Sequence, residues 1–188
     1  MRAIGSASAL AQPTSDTLVF VPTYNEARTI GPLIDEILRL PVAADVLVVD
    51  DRSSDNTRTE VQARAAASQR VKLVGRPCKL GIGSAHRLGW LYARRSGYAR
   101  IVTLDGDFSH DPADIPRLLR AIDNGADFVI GSRFAPGGRL DYRGIRRIVS
   151  RSANILARSH TVRTDRNDQS RGVFVLSDQR ATSCVRWL

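Results

Sequence analysis

Five short apolar runs punctuate the chain: TLVFVP (17–22), DVLVVD (45–50), VKLVG (71–75), RIVTLD (100–105) and DFVIG (127–131). Each is too short for a buried helix and rich in Val, Ile or Leu, residues that suit a pleated strand. The runs are continuously apolar and do not alternate, which predicts burial on both faces, as in a parallel sheet. Between them lie EARTIGPLIDEILRL, SDNTRTEVQARAAAS, GSAHRLGWLYARRSG and DPADIPRLLRAIDNG. Each is long enough for about two to four helical turns. Asp111-Pro112 predicts a helix start with proline in the first turn, and Gly125 a helix stop. Strand and helix in alternation predict an α/β fold, a mainly parallel sheet flanked by helices.

In such sheets ligands bind beyond the carboxyl ends of the strands. PTYNE follows the first strand, DDRSSD the second, DGDFS the fourth and GSRFAPGG the fifth, so the unusual polar clusters share one edge. In IVTLDGDFSHDP, Asp105 and Asp107 stand one residue apart at the end of an apolar run. Carboxylates that close need either a divalent cation or a shared proton. Mg²⁺ or Mn²⁺ takes carboxylate oxygens and leaves positions for waters and substrate phosphates. Gly106 between the pair lets the backbone approach closely. A phosphatase of the haloacid dehalogenase type also has a DxD after a strand, and TLDGDFS fits it locally. That alternative wants a downstream Lys and acidic pair, whereas Asp50-Asp51 lies upstream and no Lys follows Lys79.

The other clusters are less specific. Ser53, Ser54 or Asp55 can cap the helix after Asp50-Asp51, and one carboxylate of that pair can accept from a base or ribose. PTYNEARTIG is no G-x-G-x-x-G fingerprint, which argues against a nicotinamide or flavin cofactor. Gly81, Gly83 and Gly89 lack P-loop order and suit a helix entry, with Lys79 able to meet a phosphate. His86 and His110 lack metal-ligand spacing and read as structural or solvated. In RGIRRIVSRSANILARS (143–159), Ile145, Ile148, Val149, Ile155 and Leu156 share a helical stripe while Arg143, Arg147 and Arg151 follow at i+4. Such a helix packs on a core with a solvated basic face, or lies against anionic lipid or a lipid-borne phosphate.

At 188 residues, 43% apolar and 25% charged, the chain suits one globular domain. No run approaches a membrane span. Residues 1–16 read as a disordered leader without the apolar core of a signal peptide. Cys78 and Cys184 make no disulfide framework, which suits a reducing cytoplasm. The net charge is +9, and the ten Arg and three Asp from Arg143 onward hold +7 of it. That imbalance predicts an anionic partner: nucleic acid, acidic lipid or a phosphorylated substrate.

With these clusters in order, the sequence resembles glycosyltransferase family 2, and within it the dolichyl- or polyprenyl-phosphate mannosyltransferases. VPTYNE, VVDDRSSDNT, KLGIGSAHRLG, LDGDFSHDP, GSRFAPGG and RRIVSRSANILAR carry the resemblance over roughly residues 17 to 158. It implies a GT-A (Rossmann-like) nucleotide-sugar-binding domain over 17–158. By the same resemblance Pro22, Tyr24, Glu26, Val49 and Asp51 form the donor edge with Asp105, Gly106 and Asp107. Asp105, Asp107 and Ser109 are the metal positions for Mg²⁺ or Mn²⁺. Arg133 and Arg147 hold the acceptor phosphate and donor diphosphate, and Asp107 and Arg133 count as catalytic. The implied reaction is inverting mannosyl transfer from GDP-mannose to a dolichyl or polyprenyl phosphate, with UDP-glucose as alternative donor. The implied place is the cytoplasmic face of a membrane, by peripheral contact or a membrane partner subunit, with no nucleic acid.

Residues 159–188 depart from the family. Where relatives have a D-x-T-S-G-F-R-like stretch, this chain has TDRNDQSRGVFVLSDQRATSCVRWL, with Asp168 and Ser170 as an imperfect remnant. The tail reads as truncated or frame-shifted. Against the transferase stand the phosphatase and a non-catalytic basic module that binds membrane or nucleic acid through its Arg-rich end.

Overall fold

A computed structural model of the chain describes residues 13–126, 128–131, 171–172 and 184–186. The strands β1 (Thr17–Thr23), β2 (Asp45–Asp50), β3 (Val71–Gly75) and β4 (Arg100–Thr103) alternate with α1 (Ile30–Arg39), α2 (Thr57–Ala67) and α3 (Ile82–Ser96). Helix α4 (Ile115–Asp123) follows, then β5 (Val129–Gly131), β6 (Arg171–Gly172) and β7 (Cys184–Arg186). The sheet runs β3-β2-β1-β4-β6 with every pairing parallel.

Continuous apolarity in the strands has the expected cause: both faces are covered. Val19, Val21, Val46, Val48, Val102 and Leu104 point to one core, where α1 buries Ile30, Leu33, Ile34 and Ile37 and α4 buries Ile115, Leu118, Leu119 and Ile122. Leu18, Phe20, Leu47 and Val49 point to the other, under α3. Helix α3 meets the sheet through Ala85, Gly89 and Ala93, residues small enough to let it lie close. A Cβ placed on Gly89 would stand 2.6 Å from Phe20 Cδ2.

Strand register sets up the functional edge. Thr23 lies opposite Asp50, and Asp50 opposite Gly75. Just past β4, Leu104 N–H donates to the Phe20 carbonyl at 3.0 Å, which carries Asp105 to the same edge. At the opposite edge the fold begins before the first apolar run, within the stretch expected to be leader. Thr14 N–H donates to Asp45 Oδ2 at 2.9 Å, and the fully buried Asp45 also accepts from Tyr98 Oη at 2.7 Å. Burial, and then this carboxylate, push the Tyr98 phenol well above its usual range.

Asp111 and Gly125 do what their residue types predict. The Asp111 carboxylate accepts Ala113 N–H at 2.9 Å and opens the 3₁₀ turn Pro112–Asp114 that leads into α4. Gly125, at φ 93°, donates to the Ile122 carbonyl at 2.9 Å beyond the helix end. The fifth predicted strand forms but does not join the parallel sheet. It pairs antiparallel with β7, while residues 171–172, within the stretch 159–188 that departs from the family's motif, take the place beside β4. Local apolarity marks a strand without naming its partner, because pairing is a long-range choice.

The contact of α3 with Phe20 predicts that Gly89→Ala lowers stability by about 1–3 kcal/mol, although alanine is the better helix former. In a urea-denaturation cycle, a smaller residue at position 20 should return part of that loss.

Candidate active site

The loops leaving β1, β2 and β4 bring Glu26, Asp50, Asp51, Asp105 and Asp107 to one edge, and the structure treats these five in two ways. Asp50 and Asp51 are paired. Asp50, wholly buried, binds the Arg58 guanidinium, accepts Ser53 N–H at 3.1 Å and is also bonded by the Ser53 hydroxyl. Asp51 accepts the N–H groups of Leu80 at 2.7 Å and Gly81 at 2.8 Å, and its Oδ2 meets Arg76 Nη2 at 2.8 Å. It therefore pins the entry of α3 to the end of β2. Arg76, itself buried, also donates to the Gly81 carbonyl at 3.1 Å and to the Ser84 hydroxyl.

Glu26, Asp105 and Asp107 have no cation beside them among the described residues except imidazoles. Asp105, part-buried, donates its N–H to His110 Nδ1 at 3.3 Å, and the imidazole lies 3.8 Å from its carboxylate. Burial pushes the Asp105 carboxyl above its usual range, Asp107 adds to this, and His110 and His86 oppose it. Asp107 is exposed, with Oδ1 accepting Ser109 N–H at 2.8 Å. Glu26 stands over Gly106: a Cβ on that glycine would lie 1.7 Å from Glu26 Oε2. That oxygen is buried and has no hydrogen-bond partner among the described residues. Burial, then Asp107 and Asp105, raise the Glu26 carboxyl to about 7.

Asn25, Arg52 and Phe108 adopt left-handed backbone, at φ 59°, 61° and 62°, and they are the only non-glycine residues described with positive φ. One lies in each of the three loops at this edge, which is where backbone strain concentrates at functional sites. Tyr24 is exposed, with Lys79 Nζ 3.4 Å above its ring centroid, a cation–π contact that closes one side of the edge. Pro22 and Val49 pair across β1 and β2 and lie buried beneath it, so they shape its floor.

The family 2 glycosyl transferase model matches residues 18–180. The chain belongs to glycosyl transferase family 2. A polyprenol monophosphomannose synthase of Mycolicibacterium smegmatis is 39% identical over 156 residues, 82% of this chain and 59% of that protein. An undecaprenyl-phosphate mannosyltransferase of Micrococcus luteus is 40% identical over 123 residues, 65% of this chain and 50% of that protein. The chain thus spans about half to three fifths of the length of these curated relatives. Among solved structures, a mannosyltransferase of Pyrobaculum calidifontis in complex with GDP-Man and Mn²⁺ aligns with TM-score 0.53 at 24% identity, covering 64% of this chain and 36% of that one. Glucosyl-3-phosphoglycerate synthase of Mycobacterium tuberculosis, in complex with UDP, aligns with TM-score 0.53 at 22% identity over 85% of this chain and 57% of that one. The fold is that of GT-A glycosyltransferases.

Of the family positions expected from sequence, Pro22, Tyr24, Glu26, Val49, Asp51, Asp105, Gly106, Asp107 and Ser109 come together on this edge. Arg133 and Arg147 lie outside the described residues, as do Asp168, Ser170 and the basic stretch 143–159. Three supporting residues escaped the sequence reading: Arg58, Arg76 and the role of His110. Their signals were positional, since Arg76 directly follows a strand and Arg58 sits in the first turn of the helix after Asp50.

The donor set suits a hard divalent cation. Asp105, Asp107 and Ser109 offer carboxylate and hydroxyl oxygens, and among the described residues a buried Glu26 oxygen has no hydrogen-bond partner. Among the described residues no three of His, Cys, Asp and Glu converge into a complete metal cage. The residues fit a cation shared with a bound diphosphate.

The raised Glu26 carboxyl has a consequence for stability. The folded chain holds this proton up to about pH 7, whereas the unfolded chain releases it near 4.5. Its contribution is therefore fully present below pH 4.5 and is lost as the pH rises to about 7. Discounted for solvent screening, the loss is about 1–2 kcal/mol. Urea denaturation of metal-free Glu26→Gln should show that much added stability at pH 8 and a flatter pH profile. Gly106→Ala should flatten the profile too, because its Cβ must push the Glu26 carboxyl out toward water.

Proposed function

We propose that the chain is the catalytic domain of an inverting glycosyltransferase that moves a mannosyl residue from GDP-mannose to the phosphate of a polyprenyl or dolichyl lipid. The observation that carries this reading is 39–40% identity to two proteins named for mannosyl transfer to such lipids, alongside a family match that includes every carboxylate of the edge. The GDP-Man and Mn²⁺ complex of a protein with the same fold supports the donor and the metal.

Asp105 and Asp107, with Ser109 beside them, would hold Mg²⁺ or Mn²⁺ against the donor diphosphate. When bound, the ion offsets the charge that grows on the departing GDP. Pro22, Val49 and Asp51 form the floor and anchor of the nucleoside edge, and Tyr24 under Lys79 forms its wall. Glu26, over Gly106, adds negative charge that strengthens the hold on a cation. Arg133 and Arg147 clamp the acceptor phosphate and the donor diphosphate.

An oxygen of the acceptor phosphate attacks the anomeric carbon, forming a new C–O bond as the bond from that carbon to the GDP oxygen breaks with inversion. A phosphate monoester has its second pKa near 6, so the attacking oxygen is already anionic at neutral pH. No side chain has to remove a proton, which agrees with an edge that, among the described residues, is built of carboxylates and arginines without a nucleophile–base pair. Catalysis then rests on alignment and on charge stabilisation. The acceptor puts the reaction at a membrane, reached by peripheral contact on the cytoplasmic face, or through a membrane partner subunit. No helix among the described residues is long and apolar enough to span one.

Calorimetric titration with GDP-mannose, GDP and UDP-glucose, with and without Mn²⁺, tests the reading. GDP ligands should bind only with the metal, and Asp107→Ala should abolish that binding and slow transfer to polyprenyl phosphate by about 10²–10³-fold. Preference for UDP-glucose would overturn the donor. Hydrolysis of simple phosphate esters without any lipid acceptor would point to the phosphatase.

A further inference from the structure

From residue 61 to residue 104 the chain has nine Arg or Lys and no Asp or Glu. Several of these turn inward. Arg64 binds Asp35 and Glu60, Arg76 binds Asp51, and Arg100 binds Asp16 and Asp123. Arg70 donates to the Ala44 carbonyl at 2.9 Å, and Lys72 lies 3.8 Å from Asp45. Arg87, Arg94 and Arg95 instead stand exposed on α3, a helix without a single acidic residue.

The apolar surface tells the same story. Four large apolar side chains are exposed among the described residues: Tyr24 at 42%, Leu80 at 55%, Ile82 at 61% and Trp90 at 43%. Three of the four belong to α3 or the turn that enters it, and the fourth touches Lys79 of that turn. At 100° per residue, Arg87 and Arg94 fall on the side of α3 away from its packing residues Ala85, Gly89 and Ala93, while Trp90 lies on the flank with its ring edge-on to His86 at 6.3 Å. A half-exposed Trp flanking two exposed Arg, with exposed aliphatics at the helix entry, matches the boundary between lipid headgroups and acyl chains.

We infer that the outer face of α3 and the Leu80–Ile82 turn form the surface that seats this domain on an anionic bilayer. The inference rests on the lipid-phosphate reading above and deepens it. An acceptor phosphate delivered from a bilayer must reach the carboxylate edge. The entry of α3 borders that edge, held there by the Leu80 and Gly81 amides on Asp51. Positive charge draws the face to anionic headgroups, and Ile82 and Trp90 then gain contact with the acyl boundary.

The test uses the full chain and vesicles without acceptor, of phosphatidylcholine alone or with about one third phosphatidylglycerol, read by co-sedimentation. Wild type should bind the anionic vesicles and release with salt. Arg87→Glu/Arg94→Glu and, separately, Ile82→Glu should each weaken binding at least about tenfold, with Mn²⁺-dependent GDP binding retained as proof of folding. In a Trp187→Phe background, Trp90 emission should shift to the blue on the anionic vesicles. The inference is overturned if wild type does not bind them, if both variants bind as wild type does, or if RNA displaces the vesicles from this face. Transfer to polyprenyl phosphate in detergent is measured alongside. Its absence while the vesicle results hold would sink the transferase reading and leave the surface standing. Its presence while the variants bind normally would do the reverse.

Discussion

Repulsion among carboxylates on one sheet edge is the constraint around which this domain is arranged. Parallel register brings the ends of β1, β2 and β4 to one level, and with them Glu26, Asp50, Asp51, Asp105 and Asp107. Two of the five are compensated by neighbours. Arg58 and the Ser53 backbone and hydroxyl satisfy Asp50, while Arg76 and two α3 amides satisfy Asp51. Buried carboxylates without such partners would cost several kcal/mol each. The other three have no Arg or Lys beside them among the described residues, and burial, with their mutual repulsion, raises Glu26 and Asp105. A site held in that state gains most from an incoming cation.

The paired carboxylates also hold the fold together. Asp51 reaches from β2 to the start of α3, and Asp50 reaches to α2 through Arg58. Each therefore ties a helix entry to a strand end. Three left-handed residues, Asn25, Arg52 and Phe108, lie one in each of the loops that leave β1, β2 and β4 at this edge. The edge is acidic, whereas the outer face of α3 beside it is basic and in part apolar. An acidic edge next to a basic, amphipathic helix agrees with the proposed transfer from a soluble donor to a membrane-borne acceptor.

Much of this was legible along the chain. Four strands of the parallel sheet, the acidic clusters at their ends, the Asp111 start and the Gly125 stop all follow from local residue chemistry. So did the family, because six motifs in fixed order are far more specific than a lone DxD. The pairing of β5 with β7 was not legible, nor was the anchoring of Thr14 on Asp45. Nor could the sequence divide one adjacent pair of aspartates, Asp50 and Asp51, between two different helices. Glu26 shows the same gap: its place in the motif was clear, but its closeness to Gly106 was not.

By itself, then, the sequence determined the element types, the α/β class, the edge on which chemistry gathers and the family. These depend on periodicity, turn chemistry and motif order, all of which act between near neighbours in the chain. Tertiary structure decided which carboxylates are neutralised and which stay available, how close α3 lies to Phe20, and which face of α3 is left outward. Those outcomes depend on distances between groups remote in sequence. An aspartate's charge is set by its residue type, but the cost of holding that charge is set by what the fold packs against it.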